Sequence, residues 1–258
     1  MCARREACDA ARLPERIVED GTHYRALAAA YARGRLGVSG DDDEVIAAAE
    51  HAELRMHRFK RNAELPRVRR VLGMLRSLAP SELLDVGSGR GTFLWPLLDE
   101  LPWLPITAVD VLDYRARDIR ALREGGIERV DALHADVREL PLDEDSFDGA
   151  TALEVLEHMH DSERAARELM RVARRFVIAT VPSEPDENPE HVRLFDERSL
   201  AKLFEDAGAR SVRVERVRGH LVALALRGQE ECSRTGQQTE ARLARGREQG
   251  DPGADGLG

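Results

Sequence analysis

Short apolar runs and segments of helical period alternate through the middle of this chain. Strand-like runs occur at Glu82–Val86, Ile106–Val109, Val130–His134, Phe147–Leu153 and Phe176–Val181. Between them, Thr92–Glu100, Tyr114–Glu124 and Asp161–Val172 read as helices. Strands separated by helices of this length predict βαβ units, a parallel sheet with helices on both faces. After a helical Leu200–Ala207 the pattern changes. Val212–Val217 and Leu221–Leu226 are joined only by Arg218-Gly219-His220, too short for a crossover, so this pair is antiparallel. The expected fold is α/β and doubly wound, mostly parallel, with a C-terminal antiparallel hairpin over residues 81–227.

Residues 1–80 read as N-terminal helices, an extension that can act as a lid. Asp41-Asp42-Asp43-Glu44 puts acids at a helix start, and Val45–Lys60 continues with alanine, leucine and methionine. Pro66 opens a second segment in which Val68, Val71, Leu72, Leu75 and Leu78 recur at helical spacing, and Pro80 ends it. Residues 228–258 hold almost nothing apolar and are expected to form a disordered tail.

Composition narrows the function. Of 258 residues 42% are hydrophobic and 34% charged, enough for a core in a soluble chain. The net charge of -9 argues against a broad nucleic-acid surface. Cys2, Cys8 and Cys232 lie near the ends with no disulfide or metal spacing. No apolar run approaches a membrane span, and the N-terminus lacks a signal-like stretch, so a cytoplasmic setting is expected.

The candidate chemistry begins at Asp85-Val86-Gly87-Ser88-Gly89-Arg90-Gly91, between the first strand and its helix. Alternating glycines permit a sharp bend and close backbone approach to a ligand. A dinucleotide fingerprint would need glycine where Thr92 stands, and no Gly-Lys-Ser/Thr is present for a triphosphate loop. The DxGxGxG spacing resembles motif I of class I S-adenosylmethionine-dependent methyltransferases. That resemblance implies a Rossmann-like seven-stranded sheet, with S-adenosylmethionine wrapped by Gly87, Ser88, Gly89 and Gly91 and Asp85 facing its amino end. Asp110, ending the second strand 19 residues after Gly91, would take the ribose hydroxyls. Asp136, ending the third, would accept the adenine amino group, with Val137 contacting the ring and Leu153 lining the site.

The acceptor side lies beyond the fourth strand, in Glu154-Val155-Leu156-Glu157-His158. On a helical turn Glu154, Glu157 and His158 would share one face, and His191 in the loop after the fifth strand could converge on them. Two carboxylates and two imidazoles suit Mg, Mn or Zn. The arrangement resembles ubiquinone-pathway O-methyltransferases and the enzymes that methylate terminal ribose of small RNAs. His158 as ligand, as general base or orienting group, and as a purely structural residue all stay open. The leading expectation is O-methylation of a small molecule. RNA ribose 2′-O-methylation and a non-catalytic cofactor-binding protein are the alternatives. A small-molecule acceptor is the expected partner, with neither nucleic acid nor membrane; the oligomeric state is open.

Overall fold

In the central strands, successive side chains enter two different cores, as the period of two requires. The molecule, a computed structural model, is described at residues 21–59, 65–185 and 188–228. Its strands are β1 (Leu83–Val86), β2 (Ile106–Asp110), β3 (Val130–His134), β4 (Phe147–Leu153), β5 (Ala173–Pro182), β6 (Ser211–Val217) and β7 (His220–Leu226). They form one sheet in the order β3-β2-β1-β4-β5-β7-β6, with only β7 and β6 antiparallel to their neighbours. Every strand predicted from the sequence is present, and so are the hairpin and the mostly parallel sheet.

The helices are α1 (Thr22–Leu36), α2 (Asp42–His51), α3 (Pro66–Leu78), α4 (Leu94–Glu100), α5 (Asp113–Glu124), α6 (Ser162–Val172) and α7 (Glu197–Asp206). Leu83, Ile106, Ala108 and Ile178 pack on one face against α1, α3, α4 and α5. Leu84, Val109, Val177 and Ala179 pack on the other against α6 and α7. Both faces are therefore covered, which explains why β1 and β4 are buried along their whole length. β6, at the sheet edge, alternates exposed and half-buried residues instead.

One predicted helix is shorter than its composition suggests. The segment expected to run Val45–Lys60 ends as α2 at His51. Glu53 takes a left-handed φ of 55°, Leu54 N–H donates to Ala49 O at 2.9 Å, and Glu53 N–H to Glu50 O at 3.0 Å. This is the helix-ending bond pair that glycine usually supplies. It turns Leu54 and Met56 inward against the α1–α2 contact. A single 3₁₀ turn, Met56–Arg58, follows. The predicted start of α2 is sound: the Asp41 side chain accepts from Glu44 N–H at 2.9 Å and Glu44 answers at Asp41 N–H. The expected tail, beyond Gly228, and the three cysteines lie outside the described residues.

Candidate functional site

Parallel strands of a doubly wound sheet end on one edge, and the crevice there collects their terminal side chains. Asp85 sits on β1 in register with Thr151 on β4. Its buried carboxylate accepts from Thr151 Oγ1 at 2.8 Å and from Ser88 Oγ at 2.7 Å. Burial pushes its pKa up to about 6, against those two hydrogen bonds and with help from the charge of Asp110. Gly87, Gly89 and Gly91 all have positive φ. At Gly87 a β-carbon would lie 2.4 Å from Val155, and at Gly91 1.8 Å from the Trp95 ring. The turn is thus pressed against both the β4 loop and the buried indole of α4.

Asp110, 3% exposed, closes β2. Its Oδ2 accepts Gly89 N–H at 3.0 Å and its Oδ1 accepts Leu112 N–H at 2.9 Å, with Arg115 at 3.6 Å. The glycine turn and the second strand are tied together by this one carboxylate. Immediately after it, Val111 and Leu112 are exposed, an apolar shelf at a polar edge. Asp136, beyond β3, is held by Arg138: the guanidinium contacts both oxygens at 2.5–3.1 Å, and this pair keeps the carboxyl below the usual range. Val137 and Leu153 are buried.

The acceptor-side residues separate into two groups. Glu154 does not share a helical face with Glu157 and His158, because its φ of 58° turns the chain before the 3₁₀ turn Leu156–His158 begins. Its carboxylate goes toward β7, accepting from Thr180 Oγ1 at 2.8 Å and His220 Nε2 at 3.1 Å, with Arg67 at 3.7 Å. Burial alone would raise its pKa; the His220 hydrogen bond and Arg67 outweigh that and hold it low. Glu157, His158 and His191 do converge, each offering a donor atom within 4.8 Å of the others. The loop carrying His191 is seated by Val192 and Arg193 N–H donating to Glu157 O at 2.9 and 3.1 Å. The His158 and His191 rings meet edge to face at 4.8 Å. His158 Nδ1 lies 3.0 Å from Glu190 O. A carbonyl only accepts, so Nδ1 carries a proton here, and in the neutral ring Nε2 is the nitrogen left with a lone pair.

The sequence reading passed over Thr151, Thr180, His220 and Arg67. Thr151 had a signal, a lone hydroxyl in the apolar run Phe147–Leu153. His220 had none, because its role depends on the left-handed turn at Glu154. Of the N-terminal residues, Arg58 is anchored by Asp118 at 2.6 Å, and Phe59 stacks on Trp95 with centroids 5.2 Å apart. The segment 53–59 therefore packs beside the glycine turn. No helix among the described residues is long and apolar enough to cross a membrane.

Residues 84–177 match the family model described as a methyltransferase domain. An O-methyltransferase of Pyrenophora dematioidea is 34% identical over 116 residues, covering 43% of each chain. The 27-O-demethylrifamycin SV methyltransferase of Amycolatopsis mediterranei is 32% identical over 134 residues, 48% of this chain and 49% of that one. The chain thus spans about half the length of these curated relatives. Among solved structures, the 1,6-didemethyltoxoflavin-N1-methyltransferase of Burkholderia thailandensis, with bound S-adenosylhomocysteine, superposes with a TM-score of 0.53 at 22% identity. It covers 74% of this chain and 92% of that one. A SAM-dependent methyltransferase from Aquifex aeolicus gives 0.52 at 22%, covering 64% and 92%. These likenesses establish the fold.

Proposed function

From the match of residues 84–177 to the methyltransferase domain model, we propose that the chain is a class I methyltransferase that binds S-adenosylmethionine and methylates a hydroxyl of a small molecule. The observation that carries this reading is the row of acids at three adjacent strand ends. Asp85 lies near the end of β1, Asp110 is the last residue of β2 and Asp136 stands just beyond β3, with the three positive-φ glycines beside the first. The residues present fit the cofactor. Asp110 is already fixed by two backbone N–H groups, and each of its oxygens retains a lone pair for a ribose hydroxyl. The exposed Val111–Leu112 shelf next to it suits an adenine face.

When bound, the cofactor supplies an electrophilic methyl carbon on a sulfonium. The chain's own work is then positioning and proton handling. Asp85 in its ionised form holds the amino end, while Gly87, Ser88, Gly89 and Gly91 let the backbone close on the methionine part. Asp136 and Val137 meet the adenine, and Leu153 lines the crevice. His158 Nε2, with its lone pair available, takes the proton of the acceptor hydroxyl. Glu154 belongs to the frame of this site rather than to its proton path, since Thr180, His220 and Arg67 surround its carboxylate.

Glu157, His158 and His191 also support a divalent ion, Mg, Mn or Zn, because one carboxylate and two imidazoles within 4.8 Å are a suitable donor set. Such an ion would lower the pKa of a bound hydroxyl. Metal analysis separates the readings. Glu157→Gln and His191→Ala should each reduce bound Mn or Zn at least tenfold if the ion is held there. Unchanged metal content would leave His158 as a base alone.

The activity test uses S-adenosylmethionine labelled in its methyl group, with a panel of phenols and sugar hydroxyls. We expect label in an ether product, lost with His158→Ala. If S-adenosylhomocysteine binds but no acceptor gains label, the O-methyltransferase reading fails in favour of a cofactor-binding protein without turnover.

A further inference from the structure

Beside the crevice, an arginine-rich cleft opens between α1, the segment 53–58 and the start of α5. Its outer chamber, about 470 Å³, is mixed in charge: Arg35, Arg55 and Arg117 line it together with the carboxylates Glu53 and Asp118 and the rings of Tyr31 and Tyr114. An inner chamber of about 170 Å³ continues from it, sharing Arg55, Arg58 and Tyr114. Arg90, Arg115, His57 and Gly89 complete the inner lining, so the cleft ends against the glycine turn. Among the described residues no carboxylate lines the inner chamber.

That charge pattern runs against the rest of the chain, whose net charge is -9 and whose arginines are mostly paired. Arg58 is neutralised: its guanidinium, 12% exposed, meets Asp118 at 2.6 Å and lies over the Tyr31 ring at 5.1 Å. Arg115 leans on Asp110 at 3.6 Å. Arg55 and Arg90 have no such acid within ion-pair distance among the described residues. Arg55 and Arg90 are both exposed at the rim of this small recess, and their like charges repel each other, a cost an anion would remove. Arg58 is pre-set beside them, because Tyr31 donates to Asp118 at 3.1 Å and fixes the acid that fixes Arg58.

The geometry points to a second binding site, one that takes an anionic ligand of the phosphate-ester class. Its acid group sits in the inner chamber between Arg55, Arg90 and His57. Guanidinium forks match phosphate oxygens in pairs, whereas Arg35 and Arg117 in the outer chamber are already paired with Asp118 at 3.8 Å and Asp113 at 2.9 Å. Exposed Tyr114, at the neck shared by both chambers, offers a ring to the ligand's remainder. Because Gly89 forms part of the wall, a ligand here touches the turn that holds the methionine part of the cofactor.

Calorimetry with inorganic tripolyphosphate tests this on the full chain, at constant physiological ionic strength, with and without saturating S-adenosylhomocysteine. One saturable event per chain is expected in both conditions. Arg55→Gln should weaken it about tenfold, the worth of one charge-assisted contact. Arg90→Gln should do the same, and Arg213→Gln, exposed on β6, should leave it unchanged. Absence of saturable binding would overturn the proposal. So would equal loss in all three variants, which marks a diffuse charge effect. Abolition by S-adenosylhomocysteine would also overturn it, by assigning the chamber to the cofactor's own carboxylate. Tripolyphosphate binding without S-adenosylhomocysteine binding would sink the methyltransferase reading and leave this one standing.

Discussion

At the scale of single residues, Asp85 carries the sharpest pH signature. Burial raises its pKa to about 6, so the free protein holds it largely protonated in mild acid. The ionised form is the one that would hold an ammonium. Affinity for S-adenosylhomocysteine should therefore be full above that value and fall up to about tenfold per pH unit below it. Titration calorimetry from pH 5 to 8 on wild type and Asp85→Asn reads this directly; a flat wild-type profile would remove Asp85 from the role. Gly91 gives a structural counterpart. With φ at 81° and Trp95 at 1.8 Å from an added β-carbon, Gly91→Ala should cost about 2–4 kcal/mol in urea unfolding. The glycines and the three acids were legible in the sequence because each type has few reasons to stand where it does. What the sequence could not give was their partners: that Thr151 faces Asp85 follows from strand register, and Arg138 on Asp136 from local rotamers.

Among elements, the junction of β4 with β7 departs most from expectation. A helical turn from Glu154 would have grouped it with Glu157 and His158. A left-handed glutamate sends it instead to the hairpin that closes the sheet. His220 stands between Glu154 Oε2 and Arg218 O, and both imidazole nitrogens face acceptors, so the charged ring fits best. The Glu154 hydrogen bond accordingly raises its pKa, against burial. The sign follows: this contribution is present below the ordinary imidazole value near 6.5 and is lost as pH rises through the higher folded value. Glu154, held low, contributes above its ordinary range and loses that as pH falls. Glu154→Gln should reduce stability by about 1–2 kcal/mol near pH 6 and by less at pH 9. Equal losses at both pH values would show that the ion pair contributes nothing there. Neither this lock nor the early end of α2 had a sequence cue, since both rest on non-glycine residues in the left-handed region, Glu154 and Glu53.

For the whole molecule, alternation of apolar strands with amphipathic helices was enough to read the sheet, its parallel core and its antiparallel end. Sheet order was not in the pattern; the resemblance carried by the glycine turn implied seven strands, and their order comes from the structure. Packing the order β3-β2-β1-β4 side by side brings Asp136, Asp110, Asp85 and Thr151 onto one edge. It also brings the loops after β4 and β5 together around Glu157, His158 and His191. This edge is the proposed binding site for S-adenosylmethionine, through the turn at 85–91. Titrating S-adenosylhomocysteine into the protein and into Asp110→Ala tests it most directly. One site per chain is expected, with a Kd in the micromolar range, roughly -8 kcal/mol. Asp110→Ala, which removes the Gly89 tie and the proposed ribose contact, should weaken it about a hundredfold. No heat of binding at millimolar ligand, or an affinity that Asp110→Ala leaves untouched, would contradict it.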